Sequence, residues 1–199
     1  MIRYWFTGDT HFGHANVINY TSRPFRDADG KPDVRAMDEG LIERWNAVVR
    51  PGDCVYHVGD FALASEDRIV HILARLYGQK FLILGNHDKA IRASKSLQSQ
   101  FGWVRDLTEI KIEDPSAPGG KQSITLCHYA MRVWNKSHYG AWQLYGHSHG
   151  SLPDDPRARS LDVGTDTHDY TPISYEEVRD RMAQKTWRPI DHHKGEYKE

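Results

Sequence analysis

Apolar and polar positions follow one rhythm in the first half of this chain and another in the second. Three short apolar runs, at residues 2–6, 54–58 and 80–84, have the length and content of buried strands. Between the first two, Val34, Met37, Leu41, Trp45 and Val48 recur at spacings of three and four. That period predicts a helix over 33–50 with one apolar face, stopped by Pro51-Gly52. Ile69, Ile72, Leu73 and Leu76 predict a second helix over 66–77, with Ser65 at its N-cap and Gly78 past its end. Residues 15–32 carry the turn signals Arg23-Pro24-Phe25 and Asp27-Ala28-Asp29-Gly30 and read as irregular. A weaker helix is expected over 89–100.

After residue 100 the period drops to two. Ile110 and Ile112 alternate with charged neighbours over 107–113, and Ile124 and Leu126 alternate with polar ones over 123–127. Asp114-Pro115 and Gly119-Gly120 between them predict a loose hairpin. Further strands are expected at 141–145 and 160–163. The last helix is signed by Ser174 as N-cap, Glu177 completing a capping box, and Ile173 with Val178 as a hydrophobic staple; it should run to about residue 184. Strand-helix alternation followed by strand pairs predicts an α/β first half and an antiparallel β second half. Two packed mixed sheets flanked by helices accommodate both. Residues 1–184 are expected to form one domain. Residues 185–199 read as a polar, mobile tail, in which only Trp187 is a candidate for docking.

Composition narrows the class. At 199 residues, with 39% hydrophobic and 27% charged positions, the chain reads as one globular domain. No apolar run approaches the ~20 residues of a membrane span, so no membrane partner is expected. The N-terminus enters a strand directly without the features of a signal peptide, and a cytoplasmic location is expected. Cys54 and Cys127 form no spacing motif and read as thiols rather than a disulfide. A net charge of −1 argues against a generally basic nucleic-acid surface, although a local patch would be compatible with it. The unusual count is 12 histidines, some of them, such as His192 and His193, in the tail.

Where the other histidines fall is informative. Five predicted strand ends carry residues of metal-ligand type: Asp9 and His11, then Asp60, then Asn86, then His128, then His147 and His149. Loops at strand ends are where sites gather in sheets with helical connections. Asp9/His11 and His147/His149 are each two residues apart, and in extended chain such pairs point the same way, so each pair can face one centre. Carboxylate, imidazole and amide oxygen together suit divalent first-row metals, and the cysteine spacing of structural zinc is absent. Seven ligands exceed one tetrahedral ion and suit two ions sharing a bridging carboxylate. Two divalent ions, offset by two aspartates and a bridging hydroxide, leave a net positive site that attracts a phosphate ester.

The series Asp9-Thr10-His11, Gly59-Asp60, Gly85-Asn86-His87-Asp88, His128 and Gly146-His147-Ser148-His149 resembles the calcineurin-like metallophosphoesterases, with every block in family order. Asp-Thr-His-Phe-Gly-His followed by Arg-Pro-Phe is similar to small bacterial and phage-type members. The resemblance implies two central mixed sheets flanked by helices and a di-metal centre, with manganese the first choice and iron, zinc, cobalt or nickel compatible. It implies that Asp9, His11 and His149 hold the first ion, that Asp60 bridges, and that Asn86, His128 and His147 hold the second. His87 would bind the phosphate and protonate the leaving oxygen, and Asp88 would orient the His87 imidazole. The implied activity is hydrolysis of small phosphodiesters or phosphomonoesters, including nucleotide-derived ones, by attack of a hydroxide held on the metals.

Other residues keep two readings. His14 either lines the pocket and meets phosphate or packs its loop. Arg132, four residues after His128, either grips a phosphate oxygen bidentately or is solvated. Trp134, His138 and Tyr139 could wall the pocket. Asn16, Arg23 and Phe25 could rim it, but read better as loop-folding residues, as His168 and Asp169 read better as a turn. His57 and His71 read as structural. Two rival functions follow. A nuclease acting on nucleic-acid ends would need a basic track. A non-enzymatic metal-bearing scaffold for a protein partner would have no use for His87 beside Asp88.

Overall fold

Residues 2–186 are described in a computed structural model; Trp187, His192 and His193 lie outside the described residues. The predicted first strand is β1, Tyr4–Thr7, and the 15–32 segment, expected to be irregular, contains a short helix, α1, Ala15–Tyr20. Six residues are too few for helix formation on propensity alone, and burial of Val17 and Ile18 supplies what local sequence does not. Helix α2, Val34–Val48, begins where Asp33 accepts the amides of Arg35 and Ala36, and buries Met37, Leu41 and Trp45 as its period requires. Strand β2, Cys54–His57, helix α3, Glu66–Arg75, and strand β3, Gln79–Ile83, follow. Ser65 stands at the N-cap of α3, but its side chain makes no capping bond. The weak helix over 89–100 divides into α4, Lys89–Ala93, and α5, Lys95–Gln98, with Ser94 ending one and capping the other.

Strand β4, Val104–Arg105, is too short to show any period in sequence. The hairpin strands are β5, Leu107–Glu113, and β6, Lys121–Cys127, and they are followed by β7, Trp142–Tyr145, and β8, Ser160–Asp162. A two-residue strand, β9, Ile173–Ser174, precedes α6, Tyr175–Ala183, whose capping box of Ser174 and Glu177 is formed. Lys185, read from sequence as the first residue of the tail, is tied to the domain. Lys185 is 7% exposed, donates to Ser160 O at 2.6 Å and pairs with Asp154, while its own carbonyl accepts from Arg159 Nε.

The strands form two mixed sheets. One runs β4-β3-β2-β1-β9, with β1 to β4 parallel and β9 antiparallel to β1; the other runs β5-β6-β7-β8. Only the β5/β6 hairpin of the second sheet is antiparallel, because β6, β7 and β8 are mutually parallel. That corrects the expected antiparallel second half. Alternating periodicity reports one buried face, not strand direction, and the connections 128–141 and 146–159 are long enough to return the chain for parallel pairing. Adjacent residues on β1 and β3 serve opposite faces: Trp5 and Leu82 pack with Met37, Leu41 and Trp45, whereas Phe6 and Ile83 pack with Ile124, Leu126, Leu144 and Val178. The result is two helix-flanked sheets in face-to-face contact. Cys54 and Cys127 are free. No described helix is long and apolar enough to cross a membrane.

Candidate metal centre

The carboxyl ends of β1, β2 and β3 in one sheet, and of β6, β7 and β8 in the other, meet at one edge of the sandwich. A parallel bridge between Gly8 and Gly164 joins the two sheets just beyond those ends. The chain does not leave its strands in extended form. Asp9, His11, Asp60, His147 and His149 all have positive φ, between 48° and 68°. Left-handed backbone costs a non-glycine residue roughly 1–3 kcal/mol, and its concentration at one place marks a functional site. This corrects the extended-chain argument for the histidine pair. His147 and His149 do not face one centre: His149 lies with Asp9 and His11, and His147 with Asp60 and His128, the ligand atoms of each trio lying within 4.8 Å of one another.

The first trio is deeply set. Asp9 and His11 are 0% and 2% exposed. Burial pushes the Asp9 carboxyl up to about 7, partly offset by His149 and His128, and drives His11 down to about 2 so that its ring stays neutral. His149 Nδ1 donates to Asp166 Oδ2 at 2.6 Å, which leaves Nε2 as the ring nitrogen available to a metal ion. Asp166 is held in turn by Arg23, which is wholly buried and donates to both of its carboxylate oxygens, at 2.8 and 2.7 Å. The same guanidinium donates to the carbonyls of Asp9, at 2.6 Å, and Thr10, at 3.0 Å. Arg23 thus braces both the Asp9–His11 loop and, through Asp166, the remaining member of the trio. The loop reading of Arg23 stands in position, but its partner Asp166 was not singled out in the sequence. A signal existed: the apolar run at 160–163 ends in Gly164 with Asp166 two residues on, much as the runs before Gly8, Gly59, Gly85 and Gly146 lead into ligand-type residues.

The second trio is held by backbone. His128 Nδ1 donates to Val58 O at 2.9 Å, which turns Nε2 toward Asp60 Oδ2, at 3.4 Å, and Asn86 Oδ1, at 3.1 Å. The His87 amide fixes the other Asp60 oxygen, Oδ1, at 2.8 Å. Burial works to raise the Asp60 pKa, but the hydrogen bond and charge of His128 prevail and hold it well below the carboxylate range. Burial likewise works to lower His128, which Asp60 nonetheless raises.

The donor set fits metal ions by a specific test. His11 Nε2 is buried and has no hydrogen-bond partner among the described residues, and it stands 3.5 Å from Asp60 Oδ2. Ligand atoms about 2.1 Å from a shared ion are roughly 3.0–3.4 Å apart, so the spacing suits a common cation and is too long for a good hydrogen bond. Asp60 Oδ2 therefore stands between a histidine of the first trio and one of the second. Glycine is required alongside. A Cβ on Gly85 would overlap Asp60 Oδ1, and one on Gly146 would overlap Asp9 Oδ2.

His87 belongs to neither trio. Its half-buried ring lies 5.1 Å from that of His11 and 5.6 Å from that of His14, and all three line one cleft. His14 thus lies at the cleft, with Nδ1 3.3 Å from His11 Nδ1. Asp88 does not orient the His87 imidazole. Its 1%-exposed carboxylate accepts the amides of Asp60, Phe61 and Gly85, each at 2.8 Å. The turn sends His87 toward the cleft and Asp88 into the protein, where Asp88 fastens the loop carrying Asp60 to the end of β3. Arg132 is exposed and lines neither cleft beside the ligands. Trp134 turns inward, donating to Ala141 O, and Tyr139 lines a separate surface hollow. His57 is buried against Thr10 Oγ1 at 2.9 Å, and His168 Nε2 lies 2.9 Å from Asp162 O; both serve the framework.

The model of the calcineurin-like phosphoesterase family matches residues 2–193. An uncharacterized protein of Methanocaldococcus jannaschii is 30% identical over 181 residues, covering 87% of this chain and 88% of that protein. The gene 66 protein of Mycobacterium phage D29 is 31% identical over 204 residues, covering 92% and 96%. The crystal structure of an Aquifex aeolicus protein of unknown function superposes with a TM-score of 0.67 at 25% identity, covering 91% of this chain and 100% of that one.

Proposed function

Since the chain belongs to the calcineurin-like phosphoesterase family, we propose that it is a dinuclear metal-dependent phosphoesterase acting on small phosphodiesters or phosphomonoesters. The observation that carries this reading is Asp60 Oδ2, flanked at 3.5 and 3.4 Å by the Nε2 atoms of His11 and His128. Asp9, His11 and His149 would hold one ion, Asn86, His128 and His147 the other, with Asp60 shared. When bound, such ions make water a nucleophile at neutral pH and neutralise phosphoryl charge. Manganese is the first choice, and iron, zinc, cobalt or nickel suit the same oxygen and imidazole donors.

The remaining chemistry falls to His87. Its ring faces the cleft among the ligand histidines, and its backbone amide holds Asp60 without engaging the ring. It would hold the phosphate and deliver a proton to the departing oxygen. His11 and His14 limit where the ring can lie.

Protein reconstituted with metal and assayed on bis-p-nitrophenyl phosphate and p-nitrophenyl phosphate tests the reading. His87→Ala should retain two ions per chain while turnover falls about 10²–10⁴-fold, most for poor leaving groups. Metal lost together with activity would remove His87 from the proton-donor role. Asp60→Ala should lose both ions; two ions retained would exclude the bridge. Absence of turnover in wild-type protein carrying two ions, with each metal tried, would overturn the enzyme reading.

A further inference from the structure

Two clefts reach the ligand set. The first, of about 360 Å³, has His11, His87 and His149 on its floor, with Tyr20 and the hydroxyls of Ser148 and Ser151 on its walls. The second, of about 400 Å³, has Asn86 and His128 on its floor, with Lys89 and Tyr129 above. The partition between them is a ring contact: His147 lines the first cleft, Tyr129 lines the second, and their centroids are 4.8 Å apart. Each cleft thus opens onto a different part of the ligand set.

Their chemistry differs. Apart from histidine, the first cleft is lined by uncharged residues. Tyr20, the last residue of α1, is 78% exposed at its rim, with no ring partner among the described residues. An aromatic face in that position has no work in the core and is placed to stack on a planar group. The second cleft carries an exposed lysine, Lys89, which makes no ion pair among the described residues; Arg92 beside it is paired with Asp106.

We propose that the substrate is a phosphodiester whose leaving arm carries a planar ring stacked on Tyr20, and whose retained arm lies in the second cleft beside Lys89. This rests on the phosphoesterase reading above. A monoester has one arm and leaves the second cleft without a role. His87, the proton donor, lines the first cleft, so the arm lying there is the one that departs. Water oxygen loses one proton to solvent and bonds to phosphorus, and the bond from phosphorus to the first-cleft oxygen breaks with its electron pair on that oxygen, which takes the His87 proton; solvent then returns a proton to His87. The products are a ring-bearing alcohol and a phosphomonoester of the retained arm. A nucleoside is the common biological alcohol of that description.

The test uses metal-reconstituted full-length protein and the methyl diester of a nucleoside 5′-phosphate, whose two alcohols have similar leaving ability, so that the products report how it lies. The expected products are free nucleoside and methyl phosphate, with kcat/KM at least ten-fold above that for the nucleoside 5′-monophosphate. Tyr20→Ala should raise KM about ten-fold, the scale of one base–aromatic stack, and Tyr20→Trp should restore it. Because Tyr20 is exposed, neither change should unfold the chain, which circular dichroism checks. Release of methanol with accumulation of nucleotide, preference for the monoester, or an unchanged KM in Tyr20→Ala would each overturn the proposal while leaving a phosphoesterase. Failure of wild-type protein to cleave any of these esters or the p-nitrophenyl substrates would remove both readings.

Discussion

Asp9, His11 and His149 sit in a corner braced by a buried ion pair between distant parts of the sequence, whereas the Asp60 and His128 side chains are held by a peptide amide and a carbonyl. Asp9 also accepts the His147 amide, which ties the two trios together. In the first trio the brace is Arg23 with Asp166, 143 residues apart in sequence and joined by two hydrogen bonds. In the second it is Val58 O and the His87 amide, groups the parallel strands present once they have paired. Exposure follows the same division: His147 and Asn86 are exposed, and no member of the first trio is. Like donors can thus be aimed either by a buried ion pair, which one substitution can break, or by peptide groups, with the Asp88 carboxylate tying down the loop that carries Asp60. Substitution of Arg23 or Asp166, neither of which touches the metal, should therefore act on the first trio before the second.

The largest effect is expected at Arg23. Replacing it by Met leaves the buried Asp166 with only His149 as partner, and breaking a buried pair in this way costs about 3–5 kcal/mol. Denaturant unfolding of the metal-free chain measures it. A loss below about 1 kcal/mol would mean that the ion pair does not brace the first trio. A smaller and more local effect is expected from Asp166→Asn, which keeps the size of the side chain but weakens its hold on His149. Affinity for one of the two ions should fall about 10–100-fold while the other is unchanged, as read by chelator competition. Equal weakening of both ions would erase the distinction between the trios.

The smallest effect belongs to a control remote from both. Tyr175 Oη donates to Asp114 Oδ2 at 2.6 Å, tying α6 to the end of the β5/β6 hairpin. Tyr175→Phe should cost about 1 kcal/mol and leave two ions bound. It should also flatten the acid side of the stability profile. The Ser116 and Tyr175 hydroxyls hold Asp114 below its ordinary 3.8, so its contribution is complete above that pH and is lost as pH falls through the lower folded value. Removing Tyr175 narrows that difference. A shift in metal stoichiometry would show that the hairpin couples to the centre.

Much of the fold was legible because local rules and tertiary need agreed. Val34 to Val48 keeps a helical period and buries its apolar stripe, and Ser174 with Glu177 forms the capping box that its spacing announces. Helix α1 and strands β4 and β9 were not legible, since elements of two to six residues owe their form to burial and pairing rather than to periodicity. The direction of β6, β7 and β8 was equally hidden, because alternation is the same in parallel and antiparallel strands.

The sequence by itself determined which donors stand after which strands, since residue chemistry and the apolar runs before it are both local information. Only the tertiary structure decided how those donors are shared. Left-handed backbone at His147 and His149 sends two neighbouring histidines to different trios, and the turn after Gly85 sends His87 to the cleft and Asp88 inward. Arg23 and Asp166 acquire their role only when loops far apart in sequence close on one another. The physical reason is that ligand type is a property of a residue, whereas ligand direction depends on backbone angles and buried partners that exist only once both sheets have packed.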